Sequence, residues 1–319
     1  MPQTLQEYAD WLDARNLIWP QPPKTEPPHA TAYLKPLAGI RAVTWSIYGT
    51  LLRISEGRLL FVHPQQYQMQ VALQKTIEEF NMWYSMSRKP GAPWEYMLRQ
   101  YTALLDEQRM AGSKLRGDFP EVNSAALWRK LIVRLVRNEY QYDESMYGNL
   151  DQLSVKVAYF FHRRLQGVDA ADNALQTLQA VSEAGLVQGM LADAQFFTSV
   201  QMLRALNMQG KLPSPDKLFE AGCVALSFQV GVRKPSQSLY KMALQGFAEL
   251  GIAPGEVLHV SNRLQDDLAA AKRVGMRTAL YAGDKNSLEA TKPELKDPKI
   301  KPDRLLTSLE QIRQVLQIG

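Results

Sequence analysis

Residues 42–52 read AVTWSIYGTLL. Ala42 to Trp45 form an apolar run of strand length, and the chain then enters a Tyr48-Gly49-Thr50-Leu51 turn with Ser46 at the strand tip. A short apolar run closed by turn residues predicts a buried strand that ends at the turn. Working outward, the sequence on either side of this strand has two different textures.

Downstream of it the chain stays helical for a long stretch. Segments near Gln66 to Met86, Trp94 to Arg109, Ser124 to Asn138 and Leu150 to Leu165 carry apolar residues at helical spacing, as in Leu127, Leu131 and Leu135 with Trp128. Turns are marked by Lys89-Pro90-Gly91 and by Gly117-Asp118-Phe119-Pro120. From about Ala170 helices and strands alternate. Strands are predicted at Leu186 to Leu191, Val224 to Ser227, Val257 to Val260 and Thr278 to Tyr281, with a last strand and helix from Arg304 to Leu316. Helices are predicted at Ala174 to Ala184, Phe197 to Leu206, Ser236 to Leu250 and Leu264 to Val274. Such alternation implies a parallel sheet with helices on both faces. Because the first strand precedes the helical block, that block is an insertion.

Upstream lies a short predicted helix, Leu5 to Ala14, then Leu17-Ile18-Trp19 and a segment with Pro20, Pro22, Pro23, Pro27, Pro28 and Pro36. Prolines at that density lack backbone donors, so an extended arm is expected. It packs on the protein's own surface, or docks a partner through Trp11 and Trp19. The resulting division is 1–38 for the helix and arm, 39–54 with 168–319 for the α/β core, and 55–167 for the helical insertion.

Composition narrows the class. The chain has 319 residues, 45% hydrophobic and 22% charged, which fits an ordinary globular protein of more than one core. The net charge of +5 is dispersed, not gathered in a basic block, which argues against nucleic acid as a partner. Cys223 is the only cysteine, which excludes an intrachain disulfide and suits a reducing compartment. No apolar run approaches the ~20 residues that span a bilayer, and the N-terminus lacks a secretory h-region, so no membrane association is expected and the cytoplasm is the default location.

Four patches, in order, carry a family resemblance. Ser46-Ile47-Tyr48-Gly49-Thr50-Leu51 is the first. Leu191-Ala192-Asp193-Ala194 ends a predicted strand. Gly231-Val232-Arg233-Lys234-Pro235 is the third, and Val260-Ser261-Asn262-Arg263-Leu264-Gln265-Asp266-Asp267 the fourth. Together they resemble the four motifs of the haloacid dehalogenase-like hydrolase superfamily, whose fold is a Rossmann-like α/β core, here with an inserted all-helical cap. The resemblance implies an aspartate nucleophile in the first motif, a Ser or Thr in the second, a lysine in the third and acids in the fourth that hold magnesium. At the matching positions stand Ser46, Ala192, Lys234, and Asn262 with Asp267.

The resemblance thus gives Ser46, Tyr48 and Lys234 the catalytic positions and Thr50, Ala192, Asp193 and Lys234 the ligand-binding positions. Asn262 and Asp267 take the metal positions, joined by Ser46 and the Tyr48 carbonyl. One carboxylate survives in that set, so no cofactor is expected unless the altered site still takes Mg²⁺. Asp193 also reads as a helix N-cap ahead of Phe196 and Phe197, and His259, before the fourth motif, reads as a packed residue. A Lys234–Asp267 pair has both a structural reading and an anion-binding one. Trp83, Tyr84, Trp94 and Tyr96 read as helical core, or as the lining of a ligand pocket.

The expected function is that of a catalytically degenerate member, a pseudoenzyme that binds a small anionic ligand or a protein partner. The alternative is an active hydrolase, of phosphatase or esterase type, that uses Ser46 with Lys234 or Asp267 as base, or an activated water. A third reading makes the fold an assembly part. The sequence leaves the oligomeric state open.

Overall fold

The computed structural model describes residues 2–15, 20–87, 90–116 and 119–319. The Leu17-Ile18-Trp19 segment, with the Trp19 anchor, lies outside them, as do Lys89 and Gly117-Asp118 of the expected turns. The chain forms two compact units: Met1–Gln21 with Leu59–Gly167 and Gln195–Val200, and Pro22–Arg58 with Val168–Ala194 and Gln201–Gly319.

The first unit is helical. Helices Gln66–Glu79, Pro93–Arg116, Ser124–Val136 and Leu150–Leu165 supply most of its core, and the N-terminal helix Leu5–Ala14 adds Tyr8, Ala9 and Leu12. The helix starts follow local chemistry: Thr4 and Glu7 form a capping box, as do Asn149 and Gln152, and Asn123 accepts from Ala126 N–H. The helical stretch expected to run to Met86 ends at Glu79; Asn81 takes φ 51° and a short 3₁₀ turn, Trp83–Met86, follows. Aromatic rings fill the centre, with Trp128 against Phe161 at 5.2 Å and Tyr101 against Phe161 at 5.0 Å between centroids. Trp83 and Tyr84 remain largely exposed, and Trp11 stacks on Tyr8.

The second unit is a six-stranded, all-parallel sheet with helices. In chain order the strands are β1 (Ala42–Trp45), β4 (Val187–Ala192), β5 (Val224–Leu226), β6 (Val257–Ser261), β7 (Arg277–Tyr281) and β8 (Arg304–Leu306), arranged β5-β4-β1-β6-β7-β8. The intervening numbers belong to β2 (Leu52–Ile54) and β3 (Val168–Ala170), an antiparallel pair that the sequence pattern does not reveal. This is the Rossmann-like α/β arrangement. Every residue of β1 is buried, as expected for a strand covered on both faces. The chain leaves β1 toward β4 and β5, then returns on its other side through β6. That reversal makes the carboxyl ends of β1, β4 and β6 the natural ligand edge.

The proline-rich arm lies along this unit. Tyr33 pairs antiparallel with Leu305 of β8, its N–H donating at 2.9 Å, and Leu37 N–H donates to Val315 O at 2.8 Å. Arg304 donates to the carbonyls of Lys35 and Pro36 and stacks over the Tyr33 ring at 5.1 Å. The arm thereby covers an edge strand whose backbone groups would otherwise offer a template for foreign pairing.

One contact, between a helix and the 3₁₀ turn Ala221–Cys223 ahead of β5, is set by missing side chains. In helix Gln237–Glu249 a Cβ on Gly246 would fall 1.8 Å from Gly222 O. Gly246→Ala is therefore expected to lower stability by about 1–3 kcal/mol through overpacking, despite the better helix propensity of alanine. Urea unfolding checks this; an unchanged or raised midpoint would contradict it.

Candidate functional site

The strand tips carry a buried polar network. Ser46 follows β1 and its N–H donates to Val260 O at 2.9 Å, extending the ladder by one residue. Lys234 Nζ donates to Ser46 Oγ at 3.2 Å and to Asp267 Oδ2 in a close ion pair. Both charged side chains are 0% exposed. The other oxygen of Asp267 accepts from Tyr240 OH at 2.9 Å and meets His259 Nε2 at 2.8 Å, while His259 Nδ1 lies 3.1 Å from Thr44 O.

Burial alone would push the Asp267 carboxyl up, but Lys234, His259 and Arg263 outweigh it and hold Asp267 well below the ordinary carboxylate range. Burial draws Lys234 down, with Asp267 as the chief opposing charge. A neutral amine would leave the Asp267 charge unmatched in a dry interior, so the pair is ionised. Burial likewise lowers His259, against the pull of Asp267. Tyr240 is held well above its usual range by burial and by Asp267, and therefore keeps the proton it donates.

A second ion pair joins this network at the tip of β4. Asp193 Oδ1 accepts from Lys234 N–H at 2.8 Å, and its Oδ2 from Arg263 Nη2 at 2.7 Å. The expected N-cap role of Asp193 is thereby replaced. The following helix is Thr198–Asn207, and the carboxylate is drawn to Lys234 and Arg263 instead. Burial opposes the Arg263 charge, yet Asp193 and Asp267 raise its pKa. Ala192 closes β4 and supplies no hydroxyl; the nearby amide of Ala194 donates to Ser227 Oγ at 2.8 Å.

Asn262 and Thr50 form the remaining part. Thr50 Oγ1 donates to Asn262 Oδ1 at 3.3 Å and accepts from Asn262 N–H at 3.2 Å. Asn262 Nδ2 donates to Ser287 O at 2.6 Å and to Gly57 O at 3.4 Å. Gly49 sits against this amide at φ 77°, where a Cβ would lie 2.3 Å from Nδ2, so both conformation and space require glycine. Tyr48 turns aside: its OH donates to Gln201 Oε1 at 2.6 Å. Among the described residues no group of three or more His, Cys, Asp or Glu side chains is placed to hold a metal.

The structure therefore links Ser46, Lys234, Asp267 and Asp193 in one network and pairs Thr50 with Asn262, while Ala192 has no polar role. Sequence reasoning passes over Tyr240, Arg263 and Ser287, and reads His259 as a packed residue, although it touches Asp267. Arg263 stands inside the fourth patch, where its charge is a usable signal. Tyr240, on a helix remote in sequence, gives none.

Comparison with known proteins agrees with this architecture. The family model described as HAD-hydrolase-like matches residues 231–312. Glyceraldehyde 3-phosphate phosphatase of Pyrococcus furiosus is 29% identical over 145 residues, 45% of this chain and 53% of that protein, so the match spans about half the relative's length. The structure of a 2-haloacid dehalogenase from Pseudomonas syringae superposes with a TM-score of 0.54 at 19% identity, covering 87% of this chain and 98% of that one. YfnB from Bacillus subtilis, solved bound to magnesium, gives 0.46 at 14% identity over 88% of this chain and 99% of that one. Residues 231–312 thus match the HAD-hydrolase-like family model, and the fold of the chain is that of a solved haloacid dehalogenase. Among the described residues no helix is long and apolar enough to cross a membrane.

Proposed function

We propose that this chain is a non-hydrolytic member of the haloacid dehalogenase-like hydrolase superfamily that works by binding and does not use magnesium. The observation that carries the reading is the saturation of Asp267, the one carboxylate left at the metal positions. Lys234, His259 and Tyr240 occupy its two oxygens. Magnesium asks for near-octahedral oxygen ligands, commonly including one or two carboxylates. In this donor set an ammonium group lies against both Ser46 and Asp267, and Asn262 spends its amide on backbone carbonyls. These residues do not fit the ion.

The inherited chemistry lacks its attacking group as well. Ser46 would need a neutral base within reach; Lys234 is within reach, but its proton is held by Asp267. Loss of the nucleophile from the catalytic unit of a serine protease costs roughly 10⁶ in turnover, which sets the scale of the defect.

The charges also bear on what is bound. Lys234 is matched by Asp267 and Arg263 by Asp193, so the network offers no surplus positive charge to a phosphate dianion. Of the two expected occupants, a small anionic ligand or a protein partner, the arrangement favours the protein partner, or else a ligand of low charge.

With magnesium and p-nitrophenyl phosphate, turnover is expected to stay at the buffer background, and Ser46→Ala to change nothing. Robust magnesium-dependent turnover abolished by Ser46→Ala would overturn the proposal. One observation favours a second reading, serine hydrolysis: the 3.2 Å approach of Lys234 Nζ to Ser46 Oγ. Labelling of Ser46 by a fluorophosphonate in folded protein, lost in Lys234→Met, would establish that reading instead.

A further inference from the structure

The proline-rich arm reaches the candidate site through two adjacent residues. Thr25 Oγ1 accepts from Arg53 Nη1 at 2.8 Å, and Arg53 pairs with Asp169 across β2 and β3 at 2.8 Å. Glu26 makes a reciprocal backbone contact with a loop that follows β7: its N–H donates to Asp284 Oδ1 at 3.0 Å, and its carbonyl accepts from Lys285 N–H at 2.6 Å. The arm thus ties the β2–β3 pair and this loop to one another.

The loop in turn holds the site. Asp284 is buried, and its second oxygen accepts from Ser287 Oγ at 2.8 Å. The Ser287 carbonyl is the main acceptor for the Asn262 amide, at 2.6 Å. Glu289 N–H donates to Asn262 O at 3.0 Å, and Leu264 N–H to Glu289 O at 2.9 Å, so the loop runs parallel to the fourth-motif segment as a short bridge. A continuous hydrogen-bonded path therefore runs from Glu26 through Asp284, Ser287 and Asn262 to Thr50 of the first motif.

We propose that Asp284 is a positioning residue for the candidate site and that Thr25 and Glu26 of the arm are its clamp. Asp284 is the hinge of the path because one carboxylate serves both sides: the arm amide on one oxygen and the loop's Ser287 hydroxyl on the other. A carboxylate that accepts hydrogen bonds on both oxygens is stronger at each than a neutral acceptor would be. Without it, the Ser287 hydroxyl keeps only the longer contact to Ile54 O at 3.3 Å, and the Ser287 carbonyl holds the Asn262 amide less firmly. This inference concerns how the site is held and stands whether the site binds or hydrolyses.

The test uses the full chain labelled with ¹⁵N. The side-chain amide signals of Asn262, assigned by their loss in Asn262→Ser, report the Ser287 contact directly. In Asp284→Ala and in Glu26→Pro, which removes the donating N–H from a segment already rich in proline, hydrogen exchange of this amide is expected to accelerate at least about tenfold, the equivalent of one typical hydrogen bond to a charged group. Asp284→Asn keeps an acceptor for Glu26 and is expected to restore most of the protection. Unchanged exchange of the Asn262 amide in Glu26→Pro would overturn the role of the arm. Unchanged exchange in a folded Asp284→Ala, or no recovery in Asp284→Asn, would overturn the role of Asp284. Equal acceleration across every amide of the α/β unit would mark a general loss of stability and would equally overturn the proposal.

Discussion

Asp267→Asn is expected to lower the unfolding free energy by about 3–5 kcal/mol, the cost of leaving one member of a buried ion pair without its partner. The side chains of Lys234 and Asp267 are both fully enclosed, so no water is at hand to solvate an orphaned ammonium group. Asparagine keeps the volume and can still accept from Tyr240, but it then turns its NH2 toward Lys234, so the ammonium loses the opposite charge and its acceptor together. Lys234 must then either hold an uncompensated charge or shed its proton, and both routes disfavour the folded state. Replacing both partners with apolar residues, Lys234→Met with Asp267→Leu, removes the charges together and is expected to recover a large part of the loss. Urea midpoints of the three proteins form the measurement. A single-variant loss below about 1 kcal/mol would show that the pair is not the electrostatic centre of the strand tips. Adding magnesium or EDTA to the unaltered protein is expected to leave the midpoint in place, since an ion that does not bind the native state cannot stabilise it.

How far the sequence foretells this arrangement depends on the range over which each signal acts. β1 is legible because a fully buried parallel strand writes itself as a continuous apolar run, and Leu150–Leu165 because a helix face repeats within its own length. The charged pair is legible because the Gly231–Pro235 and Val260–Asp267 patches resemble the third and fourth motifs of one family, which single out Lys234 and Asp267. The β2–β3 pair is not: three residues on each side, Leu-Arg-Ile and Val-Asp-Ala, are too few to show a period, and their partnership spans the whole helical insertion. Asp284 is invisible for the same reason, since its partner Glu26 lies 258 positions away. Asp193 shows a local rule overridden. Its position before a helix suits an N-cap, but two charged or polarised donors, Arg263 and the Lys234 amide, offer stronger partners.

Asn262→Asp is expected to lower stability by about 2–3 kcal/mol, although it restores the residue type that the fourth motif carries in the family. The reason lies in what the amide now does. Its Nδ2 donates to the carbonyls of Ser287 and Gly57, and its Oδ1 accepts from Thr50. A carboxylate at that place has no hydrogen to give and points oxygen at two carbonyl oxygens, inside a site where Asn262 is buried and Gly49 leaves no room to retreat. Unpaired buried acceptors cost about 1–3 kcal/mol each, and part of that is recovered as the loop carrying Ser287 shifts. The double variant Ser46→Asp with Asn262→Asp sharpens the argument, because it supplies both acids without rebuilding the groups around them. Two more carboxylates would draw magnesium if the metal site had only lost its ligands. If the site has been rebuilt around Lys234 and the Ser287 carbonyl, magnesium will not raise the urea midpoint of either variant. A midpoint that climbs steadily with the logarithm of magnesium concentration would show native-state binding, and would mean that Asn262 had merely vacated a site its neighbours still keep.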